Sequence, residues 1–190
     1  AEMPVGKLLR SLAMPAIAAQ IVNLLYNMVD RIYIGHIEGV GALALTGLGV
    51  TLPVITLVAA FASLIGAGGA PRASIAMGRG EYGEAERILG SCVSTLACVG
   101  LVLSAVFFLS AEAVLYAFGA SDDTIVYALP YLRIYVCGSI FVLFTTGLNA
   151  FITSQGFADI GMKTVMIGAG LNIVLDPVFI FLFRMGASGA

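Results

Sequence analysis

Five apolar runs, each longer than the roughly 20 residues that carry an α-helix across a bilayer, dominate this sequence. They fall at about 8–34, 40–70, 87–110, 125–153 and 161–184. In hydrocarbon every backbone amide must find its partner within its own segment, so each run predicts a helix. Composition points the same way. Hydrophobic residues make up 60% of the chain and charged residues 11%, where a soluble domain carries about 25% charged. A globule of 190 residues could not hide so much apolar side chain. The expected fold is all-α: a polytopic membrane helix bundle of about five transmembrane helices, with no soluble domain and no low-complexity linker.

The connections are short and polar: 35–39, 77–86, about 110–124 and 154–161. Within the third, 112–118 could lie as a short interfacial helix. Lys7 and Arg10 precede the first run and continue into an apolar stretch too long for the roughly 7–15 residues of a signal-peptide core, which predicts a retained span. Arg72, Arg79 and Arg87 flank the second connection and Lys163 the fourth. The first and third have no basic residue beyond Arg31, and Arg184 ends the fifth run. By the positive-inside rule the N-terminus is cytoplasmic, in a cell (inner or cytoplasmic) membrane.

Net charge is −2 with no basic tract, which argues against a nucleic-acid partner. One His and three Cys, with Cys92, Cys98 and Cys137 all inside apolar runs, argue against a metal site. No P-loop, HExxH or GxGxxG is present, so nothing suggests an enzyme. Pro15, Pro53, Pro130 and Pro177 fall inside runs and Pro71 ends one. Each either kinks a helix for packing or exposes a carbonyl. Ala62, Gly66 and Ala70 form a ladder of small residues that lets helices approach closely.

Charges within the runs are costly and so informative, about 2.5–3.5 kcal/mol each at the bilayer centre on insertion scales. They are Asp30, Arg31, Arg133 and Asp176. Asn172 lies one turn before Asp176 on the same helix face, and Pro177 removes the amide that would bond the Ile173 carbonyl. Carboxylate, amide oxygen and carbonyl together suit a small cation, or the carboxylate could take a proton. The alternative is a salt bridge from Asp176 to Arg133. In the first run Asn23, Tyr26 and Asp30 form a polar stripe that faces a cavity, unless Asp30 pairs with Arg31 or snorkels to the outer surface. In the fourth, Thr145 and Asn149 share a face and either line that cavity or bond between helices. His36, Glu81, Glu84, Asp122 and Asp123 are expected in solvent.

Leu25-Tyr26-Asn27-Met28-Val29-Asp30 with Ile34-Gly35-His36 resembles the first helix of the MATE family, the multidrug and toxic compound extrusion transporters. Gly66–Gly69 with Ala70-Pro71, Ala76-Met77-Gly78 and the stretch from Glu84 resemble its second-helix end and cytoplasmic loop. Leu171-Asn172-Ile173-Val174-Leu175-Asp176-Pro177 resembles its fifth-helix signature. The resemblance implies two six-helix lobes around a central cavity, and export of organic cations and other amphiphiles in exchange for Na⁺ or H⁺. It assigns coupling to Asp30, Asn172 and Asp176, and the substrate cavity to Asn23, Tyr26, Thr145 and Asn149, with Pro177 as a hinge. It implies no cofactor, and no metal beyond Na⁺.

Residues 1–190 would then be an N-terminal lobe lacking its sixth helix, with the C-terminal lobe missing as partner. The 190 residues alone are expected not to run a transport cycle unless another chain supplies the rest. Two other readings stay open. One is a lipid-linked oligosaccharide flippase of a related branch, disfavoured by the balance of two acidic and two basic charges in the runs. The other is a non-transporting structural or sensor subunit whose buried charges only hold helices together.

Overall fold

The computed structural model describes residues 5–37, 39–183 and 185–189, without the side chains of 5, 7–12, 187 and 188. Glu38 and Arg184 therefore lie outside the described residues, as do the side chains of Lys7 and Arg10. Five helices follow in order: α1 (Val5–Gly35), α2 (Gly41–Gly78), α3 (Tyr82–Ala117), α4 (Asp122–Ser154) and α5 (Ala158–Pro177). A π-helical turn, Val178–Leu182, continues α5, and a short 3₁₀ turn spans Gly186–Gly189. Among the described residues, four helices are long and apolar enough to cross a membrane: α2, α3, α4 and the continuous Ala158–Leu182. Helix α1 has the length, 31 residues, but Gln20, Asn23 and Asn27 interrupt its apolar sequence.

The helices run further than the apolar runs suggest. Helix α2 continues through Pro71 to Gly78, so Pro71 is interior rather than terminal. Helix α3 is unbroken to Ala117 with Phe118 as its C-cap, so 112–118 is the end of α3 and not a separate interfacial helix. Polar residues can extend a helix beyond the bilayer once its apolar stretch has been inserted, because helix continuity satisfies the backbone. The true breaks are short and close on glycines with positive φ: Gly39 and Gly80 at 78°, Gly119 at 97° and Gly156 at 91°. That left-handed geometry is cheap only without a Cβ.

Helices α2, α3 and α4 form a tightly packed trio. The buried residues of α2 include Gly47, Thr51, Val54, Val58, Ala62, Gly66 and Ala70. They meet Thr124, Ala128, Leu132, Val136, Ser139, Leu143, Gly147 and Phe151 of α4, each set spaced three or four residues apart so that one stripe faces inward. The small-residue ladder sits at the crossing. A Cβ on Gly66 would come 2.7 Å from the Gly147 carbonyl oxygen, and one on Gly147 would come 2.8 Å from Leu96 of α3. Ser104 of α3 donates to the Val136 carbonyl at 2.9 Å and lies 3.0 Å from Ser139 Oγ. These are the short polar links expected where two helices meet in a membrane. Helix α1 packs chiefly on α5, and this pair leans on the trio. Ile34, Ala44 and Ile180 close one end of that junction.

Candidate functional site

The α1–α5 pair carries Asn23, Tyr26, Asp30 and Asn172, which line the spaces between this pair and α2 and α4. One cavity, about 720 Å³, is lined by Asn23 and Tyr26 of α1, Thr145, Thr146 and Asn149 of α4, and Thr164 and Asn172 of α5. It thus brings together all four residues expected to line a substrate cavity. A neighbouring space of about 640 Å³ shares Asn23 and Asn149 and adds Gln20 and Thr153. Asn149 is held against α5: a Cβ on Gly161 would stand 2.5 Å from its Oδ1. That oxygen is buried without a hydrogen-bond partner among the described residues.

A smaller cavity, about 340 Å³, opens on the other side of Tyr26. It is lined by Tyr26, Asp30 and Arg31 of α1, Thr51 of α2, Tyr131 and Tyr135 of α4, and Asn172 of α5. Tyr26 and Asn172 therefore border both spaces. Asn172 Nδ2 donates to Asp176 Oδ1 at 2.9 Å, the one-turn contact that their spacing predicts. Asp176 is 3% exposed. Its second carboxylate oxygen, the Asn172 amide oxygen and Asp30 Oδ1 are buried with no hydrogen-bond partner among the described residues. A buried polar atom normally has one, so three oxygens left open in one region form a set able to accept a proton or ligate a hard cation.

The salt-bridge alternatives are not formed. The guanidinium of Arg133 lies over the Phe108 ring of α3, 5.8 Å from its centre, on an exposed face of α4 away from Asp176. Nor does Asp30 pair with Arg31, which is exposed; among the described residues the one ion pair is Arg87 with Glu84, at 4.0 Å on the surface. His36, Glu81, Glu84, Asp122 and Asp123 are exposed. His36 Nδ1 stays within 2.7 Å of the Ile32 carbonyl oxygen, closing the end of α1.

Pro177 ends regular α-helix. The next turn is widened: Phe183 N–H donates to the Val178 carbonyl at 2.9 Å, five residues back, and Met185 N–H to the Phe179 carbonyl at 3.1 Å. Phe181 meets Tyr33 of α1 edge-on at 6.5 Å. Such π turns are frequent at functional sites. Sequence reading passed over Tyr131, Tyr135 and Thr51. The two tyrosines, one turn apart in α4 and flanked by apolar residues, were the available signal.

Comparison with known proteins agrees with this architecture. Multidrug export protein MepA of Staphylococcus haemolyticus is 23% identical over 189 residues, covering all of this chain and 41% of MepA. The chain thus spans about two-fifths of the length of the curated relatives it matches. A solved outward-facing multidrug resistance MATE family transporter of the MOP superfamily superposes with a TM-score of 0.89 at 24% identity, over 97% of this chain and 40% of that one. A further solved structure, named only "protein A", is 37% identical with a TM-score of 0.86, over 98% of this chain and 41% of its own. The sequence pattern of the MatE family matches residues 15–178, from α1 through the end of α5, and this multi-pass membrane chain belongs to that family.

Proposed function

We propose that the chain forms the N-terminal lobe of a secondary antiporter that exports organic cations and amphiphilic drugs in exchange for Na⁺ or H⁺. The observation that carries this reading is the group of three buried, unpartnered oxygens on Asp30, Asn172 and Asp176, beside a larger cavity lined by Asn23, Tyr26, Thr145 and Asn149. The name of MepA, a multidrug export protein, supports the substrate class. A C-terminal lobe would supply the other wall of the cavity, and the lipid bilayer of the cytoplasmic membrane is the surround, with the N-terminus in the cytoplasm.

In this mechanism, Asp30, Asn172 and Asp176 take up the coupling ion. Tyr26 and Asn172, which border both spaces, pass its presence to the substrate side. An ion that binds one state more tightly shifts the population toward that state by its differential affinity alone. Pro177 and the widened turn after it are where α5 can change direction, because the ladder of backbone hydrogen bonds is already interrupted there.

The test is efflux of a fluorescent organic cation from everted vesicles carrying the intact gene product, under imposed Na⁺ and then H⁺ gradients. The expected result is dye movement with one gradient, lost in Asp176→Asn at equal expression. No movement under either gradient overturns drug antiport. A mutant as active as wild type overturns the assignment of Asp176.

A further inference from the structure

Two in-run charges are left unused by the coupling site, Arg31 beside the smaller cavity and Arg133 away from every cavity described. Arg133 is exposed on α4, and the surface around it is apolar: Phe108 is 45% exposed, Leu109 86% and Ile134 53%. None of the cavities described above takes a residue from α3, so this α3–α4 surface is turned away from them, toward the bilayer.

Depth follows from helix geometry. At 33 residues, α4 is about 50 Å long, longer than a bilayer of about 40–45 Å with its headgroups. Asp122 and Asp123 in its first turn mark the wet end. Arg133 lies about 16 Å along from there, inside the hydrocarbon boundary. Side chains on a helix tilt toward its N-terminus, here toward the headgroups, and a long stem lets the charge rise while its methylenes stay in lipid.

A guanidinium at that level needs an anion. Among the described residues no carboxylate lies within ion-pair distance of it. Glu112, one turn beyond Phe108 on α3 and exposed, is the nearest candidate along the helix and makes no such pair. The remaining anion within reach of the snorkelling head is the lipid phosphate just above, whose oxygens match the guanidinium fork in two parallel hydrogen bonds.

We propose that Arg133 and Phe108 form a binding site for the phosphodiester of an anionic phospholipid, in the leaflet at the α3–α4 hairpin. The Phe108 ring fixes the plane of the guanidinium by cation–π contact. The exposed side chains of Leu109 and Ile134 lie along the acyl chains. This inference rests on membrane insertion alone and not on the transport reading.

Residues 1–190 contain no tryptophan, so once any tryptophan elsewhere in the intact product is replaced by phenylalanine, a single introduced indole reports on this surface without background. F108W keeps an aromatic face under Arg133, and I134W places the reporter on α4 while keeping Phe108. The full chain is reconstituted with brominated phosphatidylglycerol or brominated phosphatidylcholine, and quenching gives the relative affinity of the site for the two lipids. The expected result is a several-fold preference for phosphatidylglycerol at either reporter, falling to a ratio of one in R133Q and persisting in E112Q. A ratio of one at both reporters overturns the site. So does a preference that survives R133Q. Loss of the preference in E112Q also overturns it, since the glutamate would then be organising the arginine.

Discussion

Asn149 and Gly161 show how closely the candidate cavity is fitted. The amide oxygen of Asn149 rests 2.5 Å from where a Cβ at 161 would be, so any larger residue at 161 must push that amide aside. Gly161→Ala is expected to destabilise the fold by about 1–3 kcal/mol, the usual cost of overpacking. Asn149→Ala in the same chain should return much of that, and a double-mutant cycle on thermal midpoints in detergent measures the coupling. Asp176→Asn keeps a side chain of the same shape that can still bond to Asn172. It should leave the thermal midpoint within a few degrees of wild type while abolishing gradient-driven efflux. A large fall in that midpoint would instead mark Asp176 as a structural charge.

Among the elements, α2 and α4 form the best-defined contact, and α3 is tied to α4 at its end by Tyr116, whose hydroxyl donates to Asp122 Oδ1 at 3.0 Å, and in mid-helix by Ser104. Removing it in Ser104→Ala should cost about 0.5–1.5 kcal/mol, because Ser139 can still donate to the Val136 carbonyl at 2.8 Å; denaturant titration in micelles reads the change. The number, order and helical nature of the elements were legible in the sequence, since length of apolar run is decisive in a membrane. The ladder Ala62, Gly66, Ala70 also marked the α2 crossing correctly. Ends were less legible: hydropathy marks where the hydrocarbon stops, whereas helices such as α3 stop only where Gly119 turns the chain. The placing of Arg133 was not legible either. When every face of a helix is apolar, periodicity no longer says which way a given residue points, and Arg133 turned out to lie over Phe108 rather than near Asp176. Asn172 and Asp176 escaped that ambiguity because their mutual spacing alone brings them together, whereas Tyr131 and Tyr135 had no charge to single them out.

For the molecule as a whole, the alternation of helices gathers the α2–α3 and α4–α5 turns at one end, with exposed Arg79, Arg87 and Lys163, and sets the Asp122–Asp123 turn at the other. Under the proposed orientation, a cysteine placed at exposed Glu81 is expected to react with a membrane-impermeant maleimide in inside-out vesicles and not in intact cells, and one at exposed Asp123 the reverse, scored in a background without Cys92, Cys98 and Cys137. The opposite pattern would invert the topology. The close crossing of α2 and α4 has a mechanical consequence. Where Gly66 abuts the carbonyl of Gly147, main chain rests on main chain with no compressible side chain between them. The two helices therefore cannot come closer at that point, and any relative tilt between them must pivot about it, as a lever turns on a fixed fulcrum.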